Sequence, residues 1–206
     1  MGPYKMQIAE NDGSTLGAYL HGMQIKNSSV ARVFFALWPE ALARRALHTL
    51  TMEYQSRCEA RAMGADTLHM TLLFLGEIER ACLPRLIQTA DKVSAPAFGF
   101  ILERLSFWQH NRIAYAAPLE KIPALCQLVT ALQQELIAAG FWFDNHEFNP
   151  HVTLLRRVGH VLESQAITPI MWWVDSFVLV ESVMTDRGVH YQILQKWPLS
   201  PMIAQC

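Results

Sequence analysis

The sequence predicts an α+β fold built from two similar halves that contain antiparallel sheets. Apolar, β-rich runs alternate along the chain with segments of helical periodicity. The last two strand candidates are joined by a short polar turn, so the sheet structure cannot be purely parallel. The order strand, helix, strand, helix occurs once in each half of the chain, which suggests an internal duplication.

Composition narrows the classes of protein and of partner. The chain has 206 residues, of which 51% are hydrophobic, enough for one full core or two small lobes. No apolar run approaches the roughly 18 residues that span a bilayer, so we expect no membrane association. The four cysteines form no CxxC pair, which favours reduced thiols in a cytoplasmic protein. The net charge of −1 argues against wrapping long nucleic acid, so an RNA partner would be held at its terminus. We expect a monomer with no obligatory protein partner.

The first half begins with a segment that we exclude from the fold. Residues 1–29 lack sustained periodicity and are expected to be a flexible extension, leaving a folded domain over residues 30–206. Pro39 is expected at the first position of the first helix, whose apolar stripe begins at Leu42. Gly76 is expected to end the second strand. The predicted elements of this half are, in order, strand 30–38, helix 40–57, strand 68–75 and helix 78–93.

The boundaries between elements are clearer in the second half of the chain than in the first. A polar turn at 109–111 separates its first two strands, and Gly140 follows the most regular amphipathic helix in the chain. A second turn, at 185–188, joins the two closing strands as a hairpin. The predicted elements are, in order, strands 98–108 and 112–116, helix 122–139, strand 151–155, and hairpin strands 174–184 and 189–197.

A repeated motif carries the chemistry. The pattern His-x-Thr-Leu-Leu begins at His69 and again at His151, each time in a predicted strand. Composition gives fewer than about 0.01 chance occurrences of this pattern, counted residue by residue. Side chains alternate along a strand, so His69 shares a face with Thr71, and His151 with Thr153. If the halves pack about a pseudo-two-fold axis, these groups converge in one cleft. One imidazole would then activate a nucleophile and the other protonate a leaving oxygen, while the hydroxyls hold phosphate oxygens.

The paired motifs resemble those of the two-histidine (2H) phosphoesterase superfamily, and within it the RNA 2′,3′-cyclic phosphodiesterases, also called 2′-5′ RNA ligases. The resemblance extends over about residues 30–198. It implies a two-lobed, LigT-like fold with a catalytic cleft between the lobes and no metal or other cofactor. It also implies hydrolysis of a 2′,3′-cyclic phosphate at an RNA end to a 2′-phosphate, with reversible 2′-5′ ligation where a 5′-hydroxyl replaces water. In this resemblance His69 is the proton donor, His151 the proton acceptor, and Thr71 and Thr153 bind phosphate.

A basic residue shortly after the second motif also resembles the family, and Arg156 occupies that position. Strict alternation from His151 would instead place Arg157 on the catalytic face. A bulge or strand end near Leu155 would turn Arg156 inward. We therefore expect Arg156 to bind substrate, with Arg157 as the alternative.

Three other functions are compatible with the residues. The same site could act on a small cyclic nucleotide or an ADP-ribose derivative, or it could bind RNA ends without turnover. A metal site on the two imidazoles would lack a third ligand within either motif. Trp172 and Trp173 are expected to pack in the core rather than to stack on bases, and Tyr191 is a candidate for reaching substrate.

Overall fold

The computed structural model describes residues 29–144, 146–186 and 188–201. The extension predicted over 1–29 lies outside these ranges except for Ser29, as do Arg187 of the predicted closing turn and Cys206. The strands are β1 (Val30–Leu37), β2 (Arg61–Ala62), β3 (Met70–Glu79), β4 (Phe98–Trp108), β5 (Ile113–Ala117), β6 (Val152–Arg156), β7 (Gln165–Val174), β8 (Ser176–Thr185) and β9 (Gly188–Pro198). The helices are α1 (Ala41–Gln55), α2 (Leu83–Ala90) and α3 (Pro123–Ala138).

Two antiparallel sheets form the fold, as the sequence predicted. One has the strand order β3-β1-β8-β9 and the other β2-β6-β5-β4-β7. The first sheet combines β1 and β3 with the hairpin β8–β9 from the end of the chain. The lobes are therefore not simply the two halves of the sequence, because the C-terminal hairpin completes the sheet that the first motif strand begins. The motif strands hold equivalent positions: β3 pairs with β1, and β6 pairs with β5.

Each sheet has two differently covered faces. One face of each joins a large apolar core shared with the three helices. The opposite face of the first sheet carries a small apolar cluster of Phe34, Ala36, Val178 and Val180. The opposite face of the second sheet carries Ile113, Tyr115 and Ala117. We call these the cleft faces, because the histidines of both motifs lie on them.

The first helix begins one residue later than its proline suggested. The carboxylate of Glu40 caps α1 by accepting hydrogen bonds from the backbone N–H groups of Leu42 (2.9 Å) and Ala43 (3.1 Å). Pro39 therefore precedes the cap, and its predicted place inside the first turn is wrong. The predicted apolar stripe was wrong at its first member, since Leu42 is 67% exposed. The buried side of α1 consists of Ala43, Leu47, Leu50, Thr51 and Tyr54.

The predicted strand end at Gly76 and the predicted helix start at Ile78 are wrong, although a helix does lie within 78–93. β3 continues to Glu79, and α2 begins only at Leu83. Gly76 has φ +75° and follows a β-bulge, so it bends the strand without ending it. The later helix start has a local cause, because Pro84 lies in the first turn of α2, where its missing N–H costs nothing.

The sequence also missed β7, which runs from Gln165 to Val174 directly before β8. Trp172 on this strand is 1% exposed and packs in the core, which confirms its predicted structural role. Trp173 points to the other face, is 46% exposed and lies over Gly99, so its predicted burial is wrong. The two-residue strand β2 pairs with β6 and was likewise not predicted.

Candidate active site

The histidines of the two motifs lie on the cleft faces of different sheets. His69 precedes β3 and His151 precedes β6, each by one residue. The prediction that both histidines lie within these strands is therefore wrong. The ring of His69 lies 5.0 Å from that of Phe34, and the ring of His151 lies 5.6 Å from that of Tyr115. The motif strands β3 and β6 also contact each other. The fold therefore brings together two histidines that are 82 positions apart in the chain.

Both imidazoles are oriented in the same way. Nδ1 of His69 lies 2.7 Å from the backbone oxygen of Thr67, and Nδ1 of His151 lies 2.7 Å from that of Asn149. A carbonyl oxygen can only accept, so Nδ1 donates its hydrogen in each case. This bond fixes the tautomer of the neutral ring and leaves Nε2 without a hydrogen. Each Nε2 can therefore accept a proton, or donate one once it is protonated.

Aromatic rings hold the two imidazoles in place. The indole of Trp38 stacks on His69 with 5.4 Å between centroids and 7° between planes, and Tyr191 meets the same imidazole edge-on at 5.0 Å. Trp108 meets His151 edge-on at 4.5 Å. The position of Tyr191 agrees with its candidacy in the sequence. Trp38 and Trp108 were not singled out, although each stands at the end of a predicted strand, where a cleft-lining aromatic residue is exposed to ligand.

The environment lowers the pKa of both imidazoles. Burial lowers the pKa of His69 from 6.5 to about 4, opposed by the hydrogen bond to Thr67 and reinforced by the charges of His151 and Arg156. Burial also lowers the pKa of His151, opposed by the bond to Asn149 and reinforced by the charge of Arg156. Both imidazoles are therefore largely neutral at pH 7 before a ligand binds. The positive charge of Arg156 therefore acts on both imidazoles.

A β-bulge lies at the two adjacent leucines of the first motif. Ala36 pairs with Thr71 and the preceding Phe35 pairs with Leu73, so Leu72 is an extra residue in β3. Leu72 and Leu73 are both buried, at 3% and 4% exposure. Thr71 lies opposite a residue of the cleft-face cluster and is therefore on the same face as the preceding histidine.

The second motif has the same bulge. Tyr115 pairs with Thr153 and Ala114 pairs with Leu155, so Leu154 is the extra residue in β6. Thr153 shares the cleft face with Tyr115. The bulge shifts the alternation by one position, so that Leu155 turns into the core and Arg156 turns to the cleft. The sequence signal for this shift was the pair of adjacent leucines, which strict alternation cannot bury together.

The bulge separates the two candidate arginines. Arg156 is the last residue of β6, and its charge acts on both imidazoles. Arg157 is exposed and has a left-handed backbone with φ 57°, which takes the chain out of the sheet. Arg61, which sequence reasoning missed, lies directly opposite Arg156 on β2. Residues paired in this way share a face, so a second guanidinium stands beside Arg156.

An open cavity of about 580 Å³ adjoins the site. Its walls include Thr71, Trp108 and His151 on the catalytic side and Asp144 and Gln133 farther out. Its volume falls within the usual range of roughly 300–1,000 Å³ for small-molecule pockets. Within the described part of the chain, no three His, Cys, Asp or Glu side chains converge as metal ligands, and no helix is long and apolar enough to cross a membrane.

Comparison with known proteins points to one family. Residues 37–115 match the family described as LigT-like phosphoesterase. The RNA 2′,3′-cyclic phosphodiesterase of Escherichia coli K12 is 28% identical over 180 residues, which cover 84% of this chain and 99% of that protein. The solved structure of E. coli LigT in its apo form superposes with a TM-score of 0.74 at 27% identity, covering 84% of this chain and 99% of that one. The same protein complexed with 3′-AMP gives a TM-score of 0.73 at 27% identity, covering 82% and 98%.

Proposed function

We propose that this chain, which carries a LigT-like phosphoesterase domain of the 2H superfamily, hydrolyses 2′,3′-cyclic phosphates at RNA ends to 2′-phosphates. In this proposal His69 donates a proton, His151 accepts one, and Thr71, Thr153 and Arg156 bind the phosphate. The observation that carries it is the matched pair of imidazoles, each with Nδ1 held by a backbone carbonyl and Nε2 left for proton transfer. Binding alone would not need two such groups.

In the proposed reaction the two Nε2 atoms transfer the protons. His151 takes a proton from a water molecule as the water oxygen attacks phosphorus, and a P–O bond forms. The bond from phosphorus to the 3′-oxygen breaks on the opposite side, and protonated His69 gives its proton to that oxygen. The product carries a 2′-phosphate and a free 3′-hydroxyl. The proton gained by His151 and the proton lost by His69 exchange with solvent before the next turnover.

Negative charge builds on the phosphoryl oxygens as water adds. Thr71 and Thr153 share the faces of the two imidazoles, so their hydroxyls are placed to donate hydrogen bonds to these oxygens. Arg156 supplies a full positive charge close to both rings. A fixed cation and fixed donors stabilise the transition state because they need little rearrangement as charge develops.

Binding of the substrate also prepares the acid. Burial and nearby positive charges keep His69 neutral in the free protein. The negative phosphate opposes both effects, so it should raise the pKa of His69 and favour the protonated donor. Substrate and proton would thus bind cooperatively.

The test is an assay of RNA ending in a 2′,3′-cyclic phosphate, with EDTA present and the position of the product phosphate identified by NMR. We expect a 2′-phosphate product. His69→Ala and His151→Ala should each lower kcat by at least about 100-fold, the usual contribution of a positioned acid or base. His160→Ala, which alters an exposed loop histidine, is the matched control and should retain wild-type activity.

Substrates with different leaving groups separate the two roles. A leaving group that needs no proton should rescue His69→Ala and should not rescue His151→Ala. Rescue of the opposite variant would exchange the roles, and near-native activity in either variant would refute the two-histidine mechanism.

We also propose that the protein acts as a cytoplasmic monomer. The cysteines at positions 58, 82 and 126 are free thiols, which favours a reducing compartment. Light scattering from a size-exclusion column would test the oligomeric state, and fractionation of cells would test the location.

A further inference from the structure

Arg104 stands on the cleft face at a distance from the catalytic residues. It pairs with Ala117, a member of the cleft-face cluster, so its side chain leaves the sheet on the same side as that of Trp108. Trp108 contacts His151. Arg104 and Trp108 are four positions apart, which is roughly 13 Å at the usual rise of a strand. The mechanism above makes no use of this guanidinium.

One nitrogen of Arg104 has no hydrogen-bond partner. Its Nε is buried from solvent and meets no acceptor among the described residues. A buried N–H group of a charged side chain is costly when it is unpaired, and such groups are rare in folded proteins. An anion bound by the guanidinium would offset that cost.

A second cavity of about 670 Å³ lies against this arginine. Its walls also carry the ammonium of Lys121 and the hydroxyl of Thr130. Glu120 and Glu147 line it as well. These two carboxylates and Lys121 are all exposed, so water screens their charges more than that of the half-buried Arg104. Guanidinium, ammonium and hydroxyl donors are the groups that bind phosphate in proteins.

This second cavity adjoins the cavity beside His151. The residues that line both are Gln133, His146, Glu147, Phe148 and Asn149. A chain with its end at the imidazoles can therefore extend along one surface to Arg104. Arg104 lies roughly 13 Å from Trp108. The cyclic phosphate of a single nucleoside bound at the catalytic end is therefore too far away to contact Arg104.

We propose that Arg104 and Lys121 form a subsite for a backbone phosphate of an RNA chain whose cyclic end lies between His69 and His151. The inference rests on the function proposed above and defines its substrate class as an oligoribonucleotide. The subsite contributes to binding of the chain and leaves the chemical step to the catalytic end.

The test compares substrates of increasing length. A cyclic mononucleotide, the same nucleotide with a 5′-phosphate, and chains of two to four nucleotides are assayed with the whole protein. We expect KM to fall by about tenfold or more once a phosphate reaches Arg104, the ratio typical of one charged hydrogen bond, while kcat changes little. If KM falls only for the 5′-phosphorylated mononucleotide and not for the longer chains, the ligand is a terminal phosphate and the proposed backbone subsite is wrong.

Two variants and one chemical probe complete the design. Arg104→Met and Lys121→Met should each remove most of the length effect and leave the mononucleotide kinetics at wild-type values. Lys121 is exposed, so its variant remains informative if Arg104→Met folds poorly. Lys92→Met, at an exposed position after α2, is the matched control and should retain the length effect. A neutral methylphosphonate in place of the contacted phosphate should reproduce the loss in the wild-type protein.

The outcomes separate this proposal from the preceding one. A wild-type protein that hydrolyses the mononucleotide but shows no gain with length would overturn the subsite and leave the proposed function intact. A length effect that survives in both variants would also overturn it. If no substrate is hydrolysed, the proposed function fails, and anisotropy of a labelled oligonucleotide with a terminal phosphate tests the subsite instead. In a plot of the logarithm of the binding constant against the logarithm of the salt concentration, the wild-type slope should be steeper than that of Arg104→Met by about 0.7.

Discussion

Acidification should destabilise the folded protein through the lowered pKa values of both imidazoles, of which that of His69 allows the effect to be quantified. The pKa of His69 is about 4 in the folded protein, whereas an unfolded chain gives about 6.5. Above about pH 6.5 the ring is neutral in both states and contributes no pH dependence. As the pH falls toward about 4, the unfolded chain takes up a proton that the folded protein excludes, so the free energy of unfolding decreases. Below that pH both states are protonated and the loss ends.

The size of the effect follows from the two pKa values. The difference between about 4 and about 6.5 corresponds to about 3 kcal/mol of lost stability at the acidic end. Such a loss is a large fraction of the roughly 5–15 kcal/mol that stabilises a typical domain. His69→Gln replaces the ring by a neutral side chain that does not titrate, and should lose about 3 kcal/mol less than the wild type over the same pH range.

Urea denaturation at a series of pH values measures this difference, with His160→Gln as the matched control. The wild type and the control should lose stability together, and His69→Gln should lose less. The pH-dependent part should also shrink when inorganic phosphate is added, because an anion at the site raises the pKa of His69. Parallel curves for the wild type and His69→Gln would refute the claim that burial holds this imidazole neutral.

The remaining predictions concern the phosphate ligands and the pH profile. Thr71→Val and Thr153→Val should each lower kcat/KM by about 10- to 150-fold, since each removes a hydrogen bond worth roughly 1.5–3 kcal/mol to a charged acceptor, with little change in thermal stability. Arg156→Met should lower kcat by about 100-fold or more and raise the pKa of both imidazoles, which Arg157→Met should not do; equal effects of the two substitutions would contradict the bulge argument. The profile of kcat/KM against pH should be bell-shaped with its maximum below about pH 6.5, because both pKa values are lowered in the free protein. The kcat profile should lie at higher pH, since bound phosphate raises both values, and a flat profile for a chemical step would exclude this acid–base pair.

The local sequence pattern was sufficient to predict the helices and strands that have one buried and one exposed face. The amphipathic spacing predicted the helix α3, and the repeated motif predicted the two strands, β3 and β6, that begin directly after the histidines. Pattern failed where a local irregularity changed the period. Gly76 was taken as the end of β3, and Pro84 was not used to place the start of α2. β7 was missed because Pro169 interrupts its pattern and the exposed Met171 and Trp173 hide its alternation.

The sequence by itself determined the chemical groups of the candidate site, because the matched His-x-Thr-Leu-Leu segments specify two imidazoles and two hydroxyls on two strand faces. Only the tertiary structure decided their environment. The stacking of Trp38 on His69, the carbonyl bonds to both Nδ1 atoms and the shift that turns Arg156 inward all depend on which strands pair and in which register. The sequence specifies the type of each side chain, but the desolvation of an imidazole and the charges around it depend on neighbours that are distant in sequence. The pKa values, and therefore the chemistry that the histidines can perform, are properties of the assembled cleft.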